Sequence, residues 1–524
     1  MFSALERCQK VDLIIIGGGA TGLGIALDAA LRGLSVVLLE AQDFAQGTSS
    51  RATKLFHGGV RYLAQGNLSL VREALQERSI LLNIAPHLAH ALPFVMPAYK
   101  CWELPFYGTG LKAYDLITGN RSLGRTQFLN MARTQIALPN LNTNKLKGGV
   151  MYWDAQFDDA RFALAIARTA AAYSALLINY CPVSQFIIEN GKVSGVLCTD
   201  VETQQSFQLR ARCVINATGV WVDNLRKLLP SAESKKTQQE AFITPSQGVH
   251  LVVDKRFLGA DQALLIPKTR DRRVLFGIPW LGKVLLGTTD TRRSDTPLEP
   301  KAYTHEIELI LREAGRYLKN KPTVHDIRSV WVGLRPLVLP KKGQLPVQTR
   351  QLSREHVITV APEGLMTVTG GKWTTYRKIA QDVLSMAIEQ QLLPSSLLRS
   401  KTERTPLIGA SVDLSPRFLT QPADLNQYGT EADWVQSLPG HENEILPGFT
   451  ESMVRFAVRY EYARTVEDVL ARRSRWLFLD AKQAQMGAYS VAHILHEEGI
   501  KDPQLEDFLL KSRQYSAEEI KRQC

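Results

Sequence analysis

Residues 11–22 read VDLIIIGGGATG, and residues 23–40 continue LGIALDAALRGLSVVLLE. The apolar run 11–16 ends in glycines, as a buried strand does. In the next segment Leu23, Leu27, Ala30 and Leu31 fall on one face of a helix that Gly33 stops. Residues 34–39 return to an apolar strand, so the chain opens as a βαβ unit, which implies a parallel sheet with helices on it. Gly17, Gly19 and Gly22 set a GxGxxG between that strand and that helix. The first glycine allows the tight turn and the second lets backbone approach a pyrophosphate. The third allows close helix–strand packing, while the helix start supplies amide donors. Glu40 ends the second strand and is placed to accept hydrogen bonds from a ribose. This pattern predicts a dinucleotide site without separating FAD from NAD. Thr48, Ser49 and Ser50 follow as a polar loop able to add donors. A second formal match, Gly108 to Ala113, follows no strand and is rejected, so one dinucleotide is expected.

Further along, 68–84 and 160–175 read as helices. Pro86, Pro93, Pro97 and Pro105 are expected to break an apolar, aromatic stretch that includes Phe94, Trp102, Phe106 and Tyr107. Residues 183–215 alternate like hairpin strands about the Asn190-Gly191 turn. Residues 250–254, 274–279 and 284–287 look antiparallel, with a turn at Leu281-Gly282-Lys283. The proline- and glycine-rich stretch 405–447 reads as a linker, and 449–524 as entirely helical. There, Met453, Phe456, Ala457 and Tyr460 mark an amphipathic helix.

The composition, 45% hydrophobic and 22% charged over 524 residues, is that of a folded protein and excludes disordered or collagen-like chains. Six scattered cysteines with no CxxC pair argue against iron–sulfur or zinc-ribbon sites and for a reducing compartment. The net charge of +12 is uneven: residues 1–400 carry +16 and residues 401–524 carry −4. A basic catalytic region suits an anionic ligand, nucleic acid or an anionic membrane surface. No signal peptide and no apolar run of spanning length are read, which leaves soluble or peripheral placement.

From Thr48 the chain reads TSSRATKLFHGGVRYLAQGN. With the opening motif, this closely resembles the FAD-dependent glycerol-3-phosphate dehydrogenases of the bacterial respiratory and mitochondrial kind, within the glycine and D-amino-acid oxidase flavoprotein superfamily. Further matches are NATGVW at 216–221, GTTD at 287–290, GLRP at 333–336, GGKWTTYR at 370–377 and RYEYARTVEDVLARRSR at 459–475, in the family's order along essentially the whole chain. The resemblance implies an α/β fold: a Rossmann-like FAD-binding domain, a mixed, largely antiparallel substrate sheet and an all-helical C-terminal cap. The FAD-binding segments are expected at about 1–85, 150–225 and 350–400, and the substrate segments at about 86–149 and 226–349. The cap is expected at 401–524. The resemblance also implies oxidation of sn-glycerol 3-phosphate to dihydroxyacetone phosphate, with electrons passed to a membrane quinone. The alternatives are an oxidase using O₂ and an amine- or amino-acid-oxidising enzyme of the same fold.

Carried over residue by residue, Gly17, Gly19, Gly22 and Glu40 match the family's ADP-binding segment. Thr48, Ser49, Ser50, Lys54, Leu55, His57 and Gly58 match its flavin-side loop, and Gly219 and Gly371 its later flavin contacts. Arg61, Tyr62, Thr288, Arg335 and Lys372 match substrate and phosphate contacts, with Arg335 and Lys372 also expected to act in catalysis. A dianionic phosphate needs such fixed cations. Proton removal from the C2 hydroxyl suits histidine. His250 is favoured, while His57 has the alternative of hydrogen-bonding the flavin. The calcium loops of mitochondrial members are absent and no metal is expected. The expected partners are glycerol 3-phosphate, a quinone and an anionic membrane surface. The expected location is cytoplasmic, peripheral on the inner face of the cytoplasmic membrane. No nucleic-acid-binding module is recognisable, and a homodimer is compatible with the sequence without being specified by it.

Overall fold

The computed structural model describes residues 10–58, 68–119, 122–230, 241–269, 273–339, 355–411 and 418–522. Lys10–Ile16 lies at the centre of the first sheet, parallel to Val36–Leu39 on one side and to Ser206–Asn216 on the other. Leu13 and Ile15 point into a core shared with the helices, whereas Val11, Ile14 and Ile16 enter the cluster on the opposite face. Burial on both faces explains why residues 13–16 of this strand are all apolar instead of alternating. Leu176–Ile178 extends the sheet beyond Val36–Leu39, and Met366–Gly370 with His356–Val360 extends it beyond Ser206–Asn216. Helices Ala20–Leu31, Asp159–Ala172 and Tyr376–Glu389 supply the helical face of that core. The hairpin Val183–Glu189 with Lys192–Thr199 forms as the turn chemistry predicts, with positive φ at both Asn190 and Gly191.

The second sheet has ten strands. Its middle runs Ile243–Asp254, Lys283–Gly287, Leu275–Trp280, Ala263–Ile266, Ala89–Ala98 and Gly148–Phe157, and Ser329–Val338 pairs along Ile243–Asp254. The expected turn at Leu281 and Gly282 is present, both at positive φ. Three sequence expectations are corrected here. The proline-rich stretch does not break: Ala89–Ala98 is one strand and Glu103–Thr118 one helix. Proline's φ suits an extended chain, and the parallel neighbour Ala263–Ile266 pairs only at Phe94 and Val95, so most of that edge asks no donor of Pro93 or Pro97. Gly148–Phe157 is a strand of this sheet, although the sequence expectation puts the residues from about 150 with the other one.

The third correction concerns the C-terminal region. The stretch read as a linker holds the turn Leu425–Glu431, the helix Ala432–Gln436 and the strand Glu444–Leu446, which pairs with Phe449–Thr450. The region beyond is thus mainly, not entirely, helical. Its helices Glu451–Tyr460, Ala481–Glu497 and Leu505–Tyr515 share a core with Trp280, Trp331 and Val252 of the second sheet. Buried ion pairs tie it to the first sheet as well: Arg472 and Arg473 both clasp Asp43. Burial alone would raise the Asp43 pKa, but these two guanidinium groups hold the carboxyl below its usual range.

Candidate active site

The glycine turn works by close approach. Gly17 has φ +113°, and a Cβ there would sit 2.6 Å from the carbonyl oxygen of Ala217. A Cβ on Gly22 would lie 1.9 Å from the Gly17 oxygen, so no side chain fits at either position. Helix Ala20–Leu31 has no side-chain cap from its Gly19 start, and amides at a helix start are placed to meet an anion. One of them, Ala20 N–H, donates to Ser49 Oγ at 2.9 Å. Glu40 accepts from Gly18 N–H at 2.6 Å and from Gln42 N–H at 2.9 Å, with burial pushing its pKa up. Thr48–Ser50 forms a single tight turn, pinned by Trp373 Nε1–H on the Ser49 carbonyl at 2.8 Å. Gly17, Gly19, Ala20, Glu40, Thr48 and Ser49, with Gly219 and Gly370–Lys372, line a continuous cavity of about 2710 Å³.

The same cavity reaches the second sheet. Cross-strand register sets Ser246 opposite Arg335, Gly248 opposite Gly333 and His250 opposite Trp331. Arg335 donates to Thr288 Oγ1 at 3.0 Å and to the Thr289 carbonyl at 3.1 Å. The Thr288 loop is itself anchored, because Thr289 and Thr291 hydroxyls donate to Glu306 at 2.7 and 2.6 Å. His250 stacks on Trp331 with centroids 4.2 Å apart, and its Nε2 is 3.0 Å from Thr53 Oγ1. Burial foremost, then the charges of Arg335 and Lys54, hold its pKa well below the histidine range. His57 Nδ1 lies 3.5 Å from Asp154 Oδ2, and Arg78 approaches the other oxygen at 3.0 Å. Burial would raise the Asp154 pKa, yet His57 and Arg78 keep it below the ordinary value. Lys372 lines the cavity beside Gly371. Arg61 and Tyr62 lie outside the described residues. Among the described residues no group of three or more potential ligands converges as a metal site requires.

Residues 12–377 match the family model "FAD dependent oxidoreductase", and residues 400–504 match "C-terminal domain of alpha-glycerophosphate oxidase". The mitochondrial glycerol-3-phosphate dehydrogenase of Schizosaccharomyces pombe is 35% identical over 98% of this chain and 88% of its own length. The human mitochondrial glycerol-3-phosphate dehydrogenase is 38% identical over 94% of this chain and 71% of its own. The chain belongs to the FAD-dependent glycerol-3-phosphate dehydrogenase family. Its fold matches the FAD complex of the glycerol-3-phosphate dehydrogenase from Bacillus halodurans with a TM-score of 0.77, at 28% identity over 98% of this chain and 97% of that one. FAD is accordingly the cofactor, and the glycine cradle, the helix start and Glu40 fit its ADP half.

Within this family assignment, three expected flavin-side residues turn to structural partners, Lys54 foremost. Lys54 is fully buried at φ +64°, with Nζ 2.8 Å from the Ser50 carbonyl and 2.7 Å from Asp159 Oδ2. The ammonium also sits 4.6 Å from the Trp331 ring centroid. Its side chain therefore braces the floor of the site and does not form the cavity wall. Burial brings its pKa down to about 7, the neighbouring Arg475 also lowering it and Asp159 opposing the fall. Ser50 and Gly58 are likewise turned to structural partners, through the Ser50 carbonyl and through Gly58 N–H on Asp154 at 3.1 Å. Leu55 borders the cavity. Sequence reasoning missed Thr53, Asp154, Arg273 and Arg292, all of which line the cavity. Arg273 and Arg292 line the cavity, and the basic excess of the first 400 residues was their one visible signal.

Proposed function

We propose that this protein oxidises sn-glycerol 3-phosphate to dihydroxyacetone phosphate and passes the electrons to a membrane quinone. The observation that carries the reading is a guanidinium held in place by Thr288 and Thr289, in the same cavity as a buried histidine and the dinucleotide cradle. Arg335 binds the substrate phosphate, and Lys372 adds a compact positive charge. The Thr288 hydroxyl orients the phosphate end. His250, kept neutral by burial and neighbouring cations, takes the proton of the C2 hydroxyl. Bound FAD supplies the hydride acceptor. His57, oriented by Asp154, faces the cavity as a hydrogen-bonding group. Anaerobic addition of glycerol 3-phosphate to the purified holoprotein is expected to bleach the visible flavin band, whereas glycerol at the same concentration leaves it intact. A band that persists with the phosphorylated substrate overturns the reading. Faster turnover with a quinone analogue than with O₂ supports the quinone, and the reverse result makes the protein an oxidase.

An exposed apolar patch at the cavity mouth supports access to a lipid-borne acceptor. Trp102 and Phe106 are 53% and 67% exposed and also line the cavity, while Leu116 on the same helix is 85% exposed. Lys100 and Lys112 flank them, each over an aromatic ring. Of the aromatic stretch, Phe94 is buried inside its strand and Trp102 and Phe106 are outward residues. Aromatic and cationic side chains together suit an anionic headgroup layer. No helix among the described residues is long and apolar enough to cross a membrane. A Trp102→Ser, Phe106→Ser double variant is expected to lose several-fold in co-sedimentation with phosphatidylglycerol vesicles and in reduction of vesicle-borne quinone. Reduction of its flavin by substrate should be unchanged. Unaltered sedimentation removes this face as the docking surface.

A further inference from the structure

We propose that Thr53 is a catalytic residue: its hydroxyl relays the proton of the substrate's C2 hydroxyl to His250. The inference rests on the reading of His250 as base and adds the route by which the proton reaches it. His250 is only 2% exposed, so little of its ring meets the cavity. Its Nδ1 is buried and has no hydrogen-bond partner among the described residues. Its Nε2 is already spoken for, 3.0 Å from Thr53 Oγ1. Thr53 itself borders the cavity and is not fully buried. A substrate hydroxyl in the cavity can therefore meet the threonine oxygen, and through it the imidazole.

The threonine is held with unusual firmness for a loop residue. On one side Ala52 N–H donates to Asp159 Oδ2 at 2.9 Å, and on the other Lys54 Nζ donates to the same oxygen at 2.7 Å. Phe157 N–H closes on the Lys54 carbonyl at 3.0 Å, which fixes the following peptide. A group fixed from both sides keeps its hydroxyl aimed at Nε2 without reorganisation during the reaction. The charges around His250 favour the acceptor form of that nitrogen. Arg335 approaches from the paired strand, and Lys54 stands across Trp331 beside Asp159 and Arg475. With the imidazole neutral, the Thr53 O–H donates to Nε2 and leaves its own oxygen lone pairs for the substrate.

The step balances. The C2 O–H bond breaks and its proton joins Thr53 Oγ1. The original Thr53 proton moves to Nε2 and His250 ends as the imidazolium. The pair left on oxygen becomes the C2=O bond as the C2–H pair departs as hydride, for which bound FAD would be the acceptor.

Thr53→Val keeps the shape and removes the relay. It is expected to lower the limiting rate of anaerobic flavin reduction by roughly 10²-fold, with KM and FAD content near wild type, and to reduce the solvent deuterium isotope effect on that step. Thr53→Ser should restore the rate to within a few-fold. A Thr53→Val protein with wild-type rate and isotope effect overturns the relay. So does a Thr53→Ser protein as slow as the valine variant, since the hydroxyl would then not be what matters. His250→Asn measured alongside separates the two readings. A slow asparagine variant with a fast valine variant removes the relay alone, whereas wild-type rates in both remove the base as well.

Discussion

The His250→Asn protein is expected to hold FAD normally, yet its flavin should be reduced by glycerol 3-phosphate about 10² to 10⁴ times more slowly than in the wild type. Asparagine preserves much of the side-chain volume between Trp331 and the Gly287 backbone, where even the Gly287 position is closely approached by the imidazole. What it lacks is a basic nitrogen. The rate should therefore fall without a matching loss of substrate binding, because Arg335 and Lys372 remain. The acid limb of the wild-type profile carries a second signature. His250's pKa lies well below the ordinary 6.5 because of burial first, then Arg335 and Lys54. The neutral, proton-accepting form thus persists below pH 6.5 and is lost only at lower pH. Lys54 titrates at about 7 and is charged below that value. It opposes protonation of His250 in the range where an ordinary histidine would pick up a proton. Lys54→Met deletes that charge, so the His250 pKa rises and the acid limb moves to higher pH. Above about pH 7 the two profiles should converge, as Lys54 is then neutral in the wild type. Stopped-flow reduction across a pH series measures both effects. A His250→Asn rate within a few-fold of wild type would transfer the base role to another residue.

The parts of this molecule that could be read from the chain are those whose physics is local. A strand, a glycine turn and a helix start lie within about two dozen residues, and the steric demand at Gly22 is set by Gly17 and Ile15 of that same unit, although the one at Gly17 comes from the distant Ala217. The Asn190-Gly191 and Leu281-Gly282 turns are local in the same sense. Arg335 and Thr288 were legible only through the family resemblance. Their geometry depends on a register between strands some 80 residues apart in sequence and on Glu306 anchoring the threonine loop. Lys54 shows the limit most clearly. Its position in a flavin-side motif suggested a cofactor contact, but a positive φ and the buried Asp159, 105 residues away, turn the side chain beneath the site. Asp154, Thr53 and Trp331 gave no signal because each acts through a partner brought in by the second sheet. The C-terminal region misled for a related reason. Prolines and glycines suggested a loose linker, whereas buried partners such as Tyr428 and Val435 order it.

Gly248 turns the same strand register into the second large effect. It sits beside Arg335, and a Cβ there would fall 2.2 Å from the guanidinium Nη2 and 2.6 Å from Thr288 Oγ1. Both are the groups proposed to receive the phosphate, so the glycine keeps clear the space that the clamp occupies. In Gly248→Ala the guanidinium must retreat by more than an ångström, and its 3.0 Å bond to Thr288 cannot survive. Losing one charge-assisted hydrogen bond costs about 1.5–3 kcal/mol, which raises KM for glycerol 3-phosphate by roughly 10- to 100-fold. The chemistry at C2 is untouched, so the rate at saturating substrate should stay within a few-fold of wild type. Arg335→Ala removes the charge altogether. An interaction of that kind is worth about 2–5 kcal/mol, so kcat/KM should fall by roughly 30- to several thousand-fold. Arg335→Lys should fall between the two, because a point charge replaces a planar fork. Inorganic phosphate provides the independent measure: as a competitive inhibitor it should weaken in parallel with KM across the three variants. If phosphate inhibition stays constant while KM rises, Arg335 contacts some other part of the substrate. If both stay constant in Gly248→Ala, the guanidinium has another resting place and the steric argument fails.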